Sequence, residues 1–230
     1  MTTMTPHERP GLLVRMQHGA LIALAFAVVL PHKWPHPFFY AFALLWIAEI
    51  IINAIEQRSL KFLRQRFVSH GPILLRVSLF LLIFCYIAGV FYSENLASAR
   101  FELEKKSLLL LFPLAIMTMN QKVFTKLLFS RILMSFAAGL LLFTFLYAGL
   151  AIQRYLISGK PGEFFYLTLS TWHHPGYLSF YVVFAMGACL WLFLNDKNRK
   201  PWKAMVYIML SLWWLVFVFL LSSKVGFLSL

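Results

Sequence analysis

The residues able to do chemistry in this sequence are seven cations and two adjacent histidines. Lys33, Arg100, Lys105, Lys106, Arg154, Lys160 and Lys224 sit beside the ends of apolar runs. Cations at a membrane–water boundary can hold a phosphate or diphosphate head group whose lipid tail lies between helices. Each is equally suited to anchoring its own helix among phospholipid head groups. As a group, Arg100, Lys105, Arg154, Lys160 and Lys224 read as a diphosphate site. The histidines stand in Trp172-His173-His174-Pro175-Gly176-Tyr177. Proline at a first helical position is a helix-start signal. A histidine just before it lies near the helix's positive end, where it can polarise a group or accept a proton near neutral pH. His173 and His174 read either as a second polar site on the outer face or as solvated boundary histidines, since the sequence shows no partner carboxylate for them.

Other chemistries lack their residues. The sequence has no His/Cys/Asp/Glu set at metal-ligand spacing, no glycine-rich nucleotide loop and no defensible Ser/His/Asp arrangement. No metal and no cofactor is expected. Cys85 and Cys189 both lie inside apolar runs and report nothing about redox compartment.

The elements that must position these groups follow from composition. Of 230 residues, 61% are hydrophobic and only 13% charged, against about 25% charged in a soluble domain. A mean hydropathy of +0.76 fits a chain whose main solvent is lipid, and excludes disorder and a soluble enzyme. The net charge of +13 would suggest nucleic acid in a soluble protein. Here the basic residues lie between apolar runs, where they orient the chain, and no nucleic-acid partner is expected. The fold class is all-α, a polytopic transmembrane bundle treated as a single domain.

Seven runs are candidate spans: Met16–Leu30, Pro37–Ile55, Pro72–Tyr92, Ser107–Met119, Leu127–Ile152, Pro175–Leu194 and Trp202–Leu221. Helices are expected because backbone groups in lipid must pair within their own segment. The first run lengthens to Gly11–Leu30 if Arg15 snorkels. The fourth is short and contains Pro113, expected as a kink. With seven crossings and the N-terminus inside, 14 of the 21 Lys and Arg fall on or near the cytoplasmic side. If the fourth run failed to cross, the 21 would divide 10 against 11. The positive-inside bias thus selects seven crossings with the N-terminus cytoplasmic. That topology places the seven cations named above, and the loop Gln153–His174, on the outer face.

Glu49 is the sole acid well inside an apolar run, with Asn53 and Glu56 following on its helical face. Its depth matches that of Arg76 and Arg131. A structural ion pair to one of them is expected. Ser135 and Gly139 form a small-xxx-small pair that permits close helix approach. The chain stops as a new apolar stretch begins after Lys224, and reads as the front part of a longer protein.

Three stretches are similar to the O-antigen ligase / O-antigen polymerase family, bacterial inner-membrane enzymes that use undecaprenyl-pyrophosphate-linked glycans. The first is Gly89-Val-Phe-Tyr-Ser-Glu-Asn95 leading through Leu103-Glu-Lys-Lys-Ser-Leu-Leu-Leu-Leu-Phe-Pro113. The second is His173-His-Pro-Gly-Tyr-Leu-Ser179. The third, Leu221-Ser-Ser-Lys-Val-Gly226, resembles the family's Ser-Arg-Gly element, with Lys224 where the arginine stands and the glycine displaced by one. The resemblance spans about Phe80–Phe227. It implies a bacterial inner-membrane glycosyltransferase that moves an oligosaccharide from a polyprenyl-pyrophosphate donor to a lipid or glycan acceptor hydroxyl on the periplasmic side. Membrane lipids are the other partners. It implies that Lys224 holds the donor's diphosphate, as a point charge rather than a bidentate fork. It assigns the acceptor-activating histidine to a later outer loop, beyond Leu230, so His173 and His174 do not inherit that role. The competing expectation is a polytopic transporter or lipid-binding protein without covalent chemistry, which inverted-repeat symmetry would favour.

Overall fold

The computed structural model describes residues 11–31, 34–69, 73–93, 95–96, 98, 111–120, 123–196 and 200–221. Among them there is no strand. The helices are α1 (Leu12–Ala27), α2 (His36–Gln57), α3 (Lys61–Ser69), α4 (Ile73–Phe91), α5 (described over 111–118), α6 (Lys126–Ser158), α7 (Tyr166–Leu169), α8 (Pro175–Asn195) and α9 (Pro201–Leu221). A short 3-10 turn, Pro161–Phe164, precedes α7. The chain divides into two compact units, one of 1–42 with 124–230, the other of 43–123.

Four helices, α2, α6, α8 and α9, are long and apolar enough to cross a membrane. Their apolar surface mostly faces outward. Only 22% of the apolar window of α9 is buried, and 11% of that of α2. A helix apolar all round with so little of it packed needs a hydrocarbon solvent rather than water. These helices suggest a membrane protein. Two expected spans fall outside that set: α1 has 16 residues, and the apolar stretch of α4 covers Phe80–Phe91. The turn before Pro113 in α5 lies outside the described residues.

In the first unit, α6 is the axis. It begins at Thr125, whose hydroxyl accepts from the Leu128 amide at 3.0 Å, and ends at Gly159, whose φ of 65° lets its amide reach Tyr155 O. A non-glycine residue there would carry left-handed strain. The 33 residues between caps are about 50 Å long at ~1.5 Å each, longer than a bilayer of ~40–45 Å with its head groups. The helix thus carries six residues beyond the expected end at Ile152.

Helix α1 lies against α6 in the same direction. The Ser135 hydroxyl donates to Ile22 O at 2.8 Å, and one turn later Gly139 meets Phe26. A Cβ on Gly139 would stand 2.9 Å from Phe26 O, so the small-xxx-small pair is what lets the backbones approach. Helix α8 runs antiparallel to α6, with Trp191 on Phe129, Phe184 on Phe136 and His173 on Tyr147. Leu140, Leu178, Val182, Ala185, Trp214 and Val218 form the core where α6, α8 and α9 meet. The Trp213 indole donates to Thr144 Oγ1 at 3.0 Å, satisfying two polar groups at depth.

In the second unit Glu49 is the polar node. Its Oε1 accepts from Arg66 Nη1 at 2.7 Å and from the Asn120 amide at 3.1 Å. Arg66 also donates to Thr118 O, and the Trp46 indole to Thr118 Oγ1. The expected structural ion pair therefore exists, but with a different partner. Arg66 comes from α3, a short basic helix that doubles the chain back toward α2. Arg131 belongs to the first unit, and the side chain of Arg76 lies outside the described ones.

Candidate functional site at the Gly159 end of α6

Tyr147, Ala151, Arg154 and Ser158 recur at spacings of four, three and four, so they share one face of α6. That face receives the segment that returns to α8. Arg154 is its clasp. Nη1 donates to Thr171 Oγ1 at 2.8 Å, Nη2 donates to Thr168 O, and Nε faces Glu163 Oε2 at 3.5 Å. Glu163 also accepts from the Ser158 hydroxyl at 3.4 Å, and Phe164 packs on Tyr155. Thr168 Oγ1 donates inward to Gly162 O at 2.7 Å. The expected loop Gln153–His174 is thus a shorter, folded cap over 159–174.

The cap holds one backbone strain. Tyr166 opens α7 at a φ of 52°, left-handed for a bulky side chain, at a cost on the order of 1–3 kcal/mol. Strain of this kind persists where surrounding contacts over-determine the backbone, and the Arg154 clasp supplies those contacts.

Below the cap, Tyr147 is fully buried and its hydroxyl lies 2.6 Å from His173 Nδ1. Trp172 packs on the Tyr147 ring at 5.6 Å, and Tyr181 on His173 at 6.4 Å. His173 is half-buried inside this aromatic wall. His174 is exposed and caps α8, its Nδ1 accepting from the Gly176 amide at 3.2 Å. Accepting there requires the tautomer with hydrogen on Nε2. The adjacent histidines therefore have different environments, one locked to a buried phenol and one at the surface.

The structure brings Arg154, Lys160, His173 and His174 to one end of the first unit. It uses Arg154 mainly to hold the cap, and leaves Lys160 exposed. Lys224, Lys105 and Arg100 lie outside the described residues. Tyr147, Glu163, Thr168 and Thr171 belong to the arrangement and were absent from the sequence expectation. The heptad step from Tyr147 to Arg154 was the available signal for the first of them. Among the described residues no group of three or more His, Cys, Asp or Glu side chains could hold a metal ion.

Chemically, this end offers an exposed ammonium, an imidazole held on a buried hydroxyl, and an aromatic wall. The fold and this site define an all-helical protein suggestive of the membrane, with a polar cap on one end of its longest helix. Comparison with protein-family models, curated proteins and solved structures gives no match.

Proposed function

We propose that this chain is a membrane glycan transferase similar to the O-antigen ligases and polymerases, acting on a polyprenyl-diphosphate oligosaccharide at the outer face of a bacterial inner membrane. In the reaction, the bond between the sugar's anomeric carbon and the diphosphate oxygen breaks with its electron pair leaving on the diphosphate. The acceptor oxygen bonds to that carbon and its proton passes to a base. The step needs cations for the departing charge and a proton acceptor for the hydroxyl. Lys160, with Lys224, Lys105 and Arg100, supplies the charge in this reading. Arg154 fixes the cap from which Lys160 projects. The residues named here include no assigned base for the acceptor.

The observation that carries the reading is the built cap: a strained, hydrogen-bonded turn that gathers Arg154, Lys160, His173 and His174 at one end of a helix longer than the bilayer. Support for the topology comes from the parallel run of α1 and α6. If both cross, an odd number of crossings must separate them. Seven crossings meet that condition, with three between α1 and α6, whereas leaving out the fourth run would leave two. The stretches that carry the family likeness support the choice of substrate.

The test is the full chain in proteoliposomes with an undecaprenyl-diphosphate oligosaccharide and a lipid acceptor, measuring release of undecaprenyl diphosphate. Lys160→Ala should lower release severalfold at unchanged expression and folding. Absence of release by the parent protein, with the donor intact and accessible, would overturn the proposal.

A further inference from the structure

At the opposite end of the first unit, where α6 and α9 begin and α8 ends, the structure contains a cavity of about 460 Å³. Its size is that of a small-ligand site. Ser130, Asn195, Asp196, Trp202 and Lys203 give it a polar mouth, while Met134, Leu192 and Val206 line it with apolar surface. Tyr207 stands on its wall and also on that of a second, apolar groove between α8 and α9. A ligand that fits must be polar at one end and hydrocarbon at the other. At the boundary of an apolar bundle that ligand is a lipid.

The charges at the mouth narrow the class. Lys203 Nζ lies 2.5 Å from Asp196 Oδ2, so one cation and one anion stand side by side. An anionic head group approaching Lys203 meets Asp196 at the same place, and a cationic one meets the converse. A head group carrying both charges places its phosphate on Lys203 and its ammonium on Asp196, a four-charge ring in which every neighbour is opposite. Asn195 and Ser130 donate to Trp191 O and Lys126 O within their own helices and so add acceptor oxygens at the mouth, and tryptophan is a residue type that seats at head-group level. Among the described residues, the other cations at this end, Lys126, Arg131 and Lys200, are exposed and do not line the cavity.

We infer that this cavity is a binding site for a zwitterionic phospholipid with a primary ammonium, a phosphatidylethanolamine, because Asp196 Oδ2 accepts from an N–H donor and a quaternary ammonium has none to offer. The acyl chain lies along Met134, Leu192 and Val206, and the phosphoethanolamine bridges Lys203 and Asp196. The inference is independent of the glycan-transfer reading.

The test is native mass spectrometry of the full chain released from micelles holding equimolar dioleoyl-phosphatidylethanolamine, -phosphatidylcholine and -phosphatidylglycerol. The expected result is retained phosphatidylethanolamine, roughly tenfold in excess of phosphatidylglycerol, as a lost charge-assisted contact predicts. The neutral pair D196N/K203Q should abolish that preference. Val206→Trp, which fills the cavity while leaving both charges, should remove the retained lipid and covers the case in which the neutral pair fails to fold. Equal retention of the three lipids, an excess of phosphatidylglycerol or phosphatidylcholine, or retention unchanged in Val206→Trp would each overturn the inference.

Discussion

Glycine-to-alanine exchange on α6 should have opposite signs at two positions ten residues apart. Gly139 and Gly149 are both helical, so alanine at either gains about 0.8–1.0 kcal/mol of helix propensity. At Gly149 nothing lies within 4 Å of the added methyl, and that gain is the whole effect. At Gly139 the methyl would stand 2.9 Å from Phe26 O and 3.2 Å from Phe26 Cδ2. The carbonyl belongs to the α1 backbone and cannot swing away as a side-chain end would. Helix α1 must move, at about 1–3 kcal/mol for overpacking. That movement lengthens the bond from the Ser135 hydroxyl to Ile22 O, 2.8 Å in the parent, a loss of about 0.6 kcal/mol in a membrane setting. Gly139→Ala is therefore destabilising by about 1–2 kcal/mol net, and Gly149→Ala stabilising by up to about 1. At about 2–4 °C per kcal/mol for a chain of this size, the two variants should differ in Tm by roughly 5–10 °C. Thermal unfolding in detergent, followed by near-ultraviolet circular dichroism, measures it. Equal Tm values, or a Gly139→Ala variant more stable than the parent, would refute the close approach of α1 and α6.

Other variants separate the polar nodes. Glu49→Gln keeps an acceptor but removes the charge facing Arg66; it should lower folded yield, by about 1–3 kcal/mol of stability, read as Tm and as the monodisperse fraction in size-exclusion chromatography. Arg154→Ala unclasps the cap from α6, so limited proteolysis should cut within 159–174 at protease levels that leave the parent intact. Tyr147→Phe keeps the buried ring and removes its bond to His173, costing about 1 kcal/mol; in the NMR spectrum the His173 ring resonances should shift while those of His174 stay in place. Tyr166→Gly relieves the left-handed strain and should raise Tm by about 2–4 °C per kcal/mol relieved.

Helices α2, α6, α8 and α9 were legible because each carries an apolar run of about 20 residues, enough to cross a bilayer, that needs no partner to declare itself. Pro175 marks the start of α8 in sequence and in structure, and Ser135 with Gly139 pointed to the α1 contact without revealing which helix would fill it. The end of α6 was not legible. Gln153 and Arg154 break the apolar run, yet the helix continues because Thr168, Thr171 and Glu163 receive the guanidinium from a segment up to 17 residues away. Helix α3 was hidden for a related reason: Lys61, Arg64 and Arg66 read as loop charges, and only the fold turns Arg66 back onto Glu49. Charge type predicted an ion pair at Glu49; chain reversal chose its partner. The cap's strain at Tyr166 has no sequence signal, since glycine is the residue that announces positive φ.

In the proposed orientation the cap carrying Lys160 faces outward, where a lipid-borne diphosphate would be met. Lys160→Cys in a Cys85→Ala/Cys189→Ala background, treated in intact spheroplasts with a membrane-impermeant maleimide, tests it in one step. An outward-facing cap gives labelling as complete as that after membrane disruption. A cysteine that reacts only once the membrane is opened would contradict it.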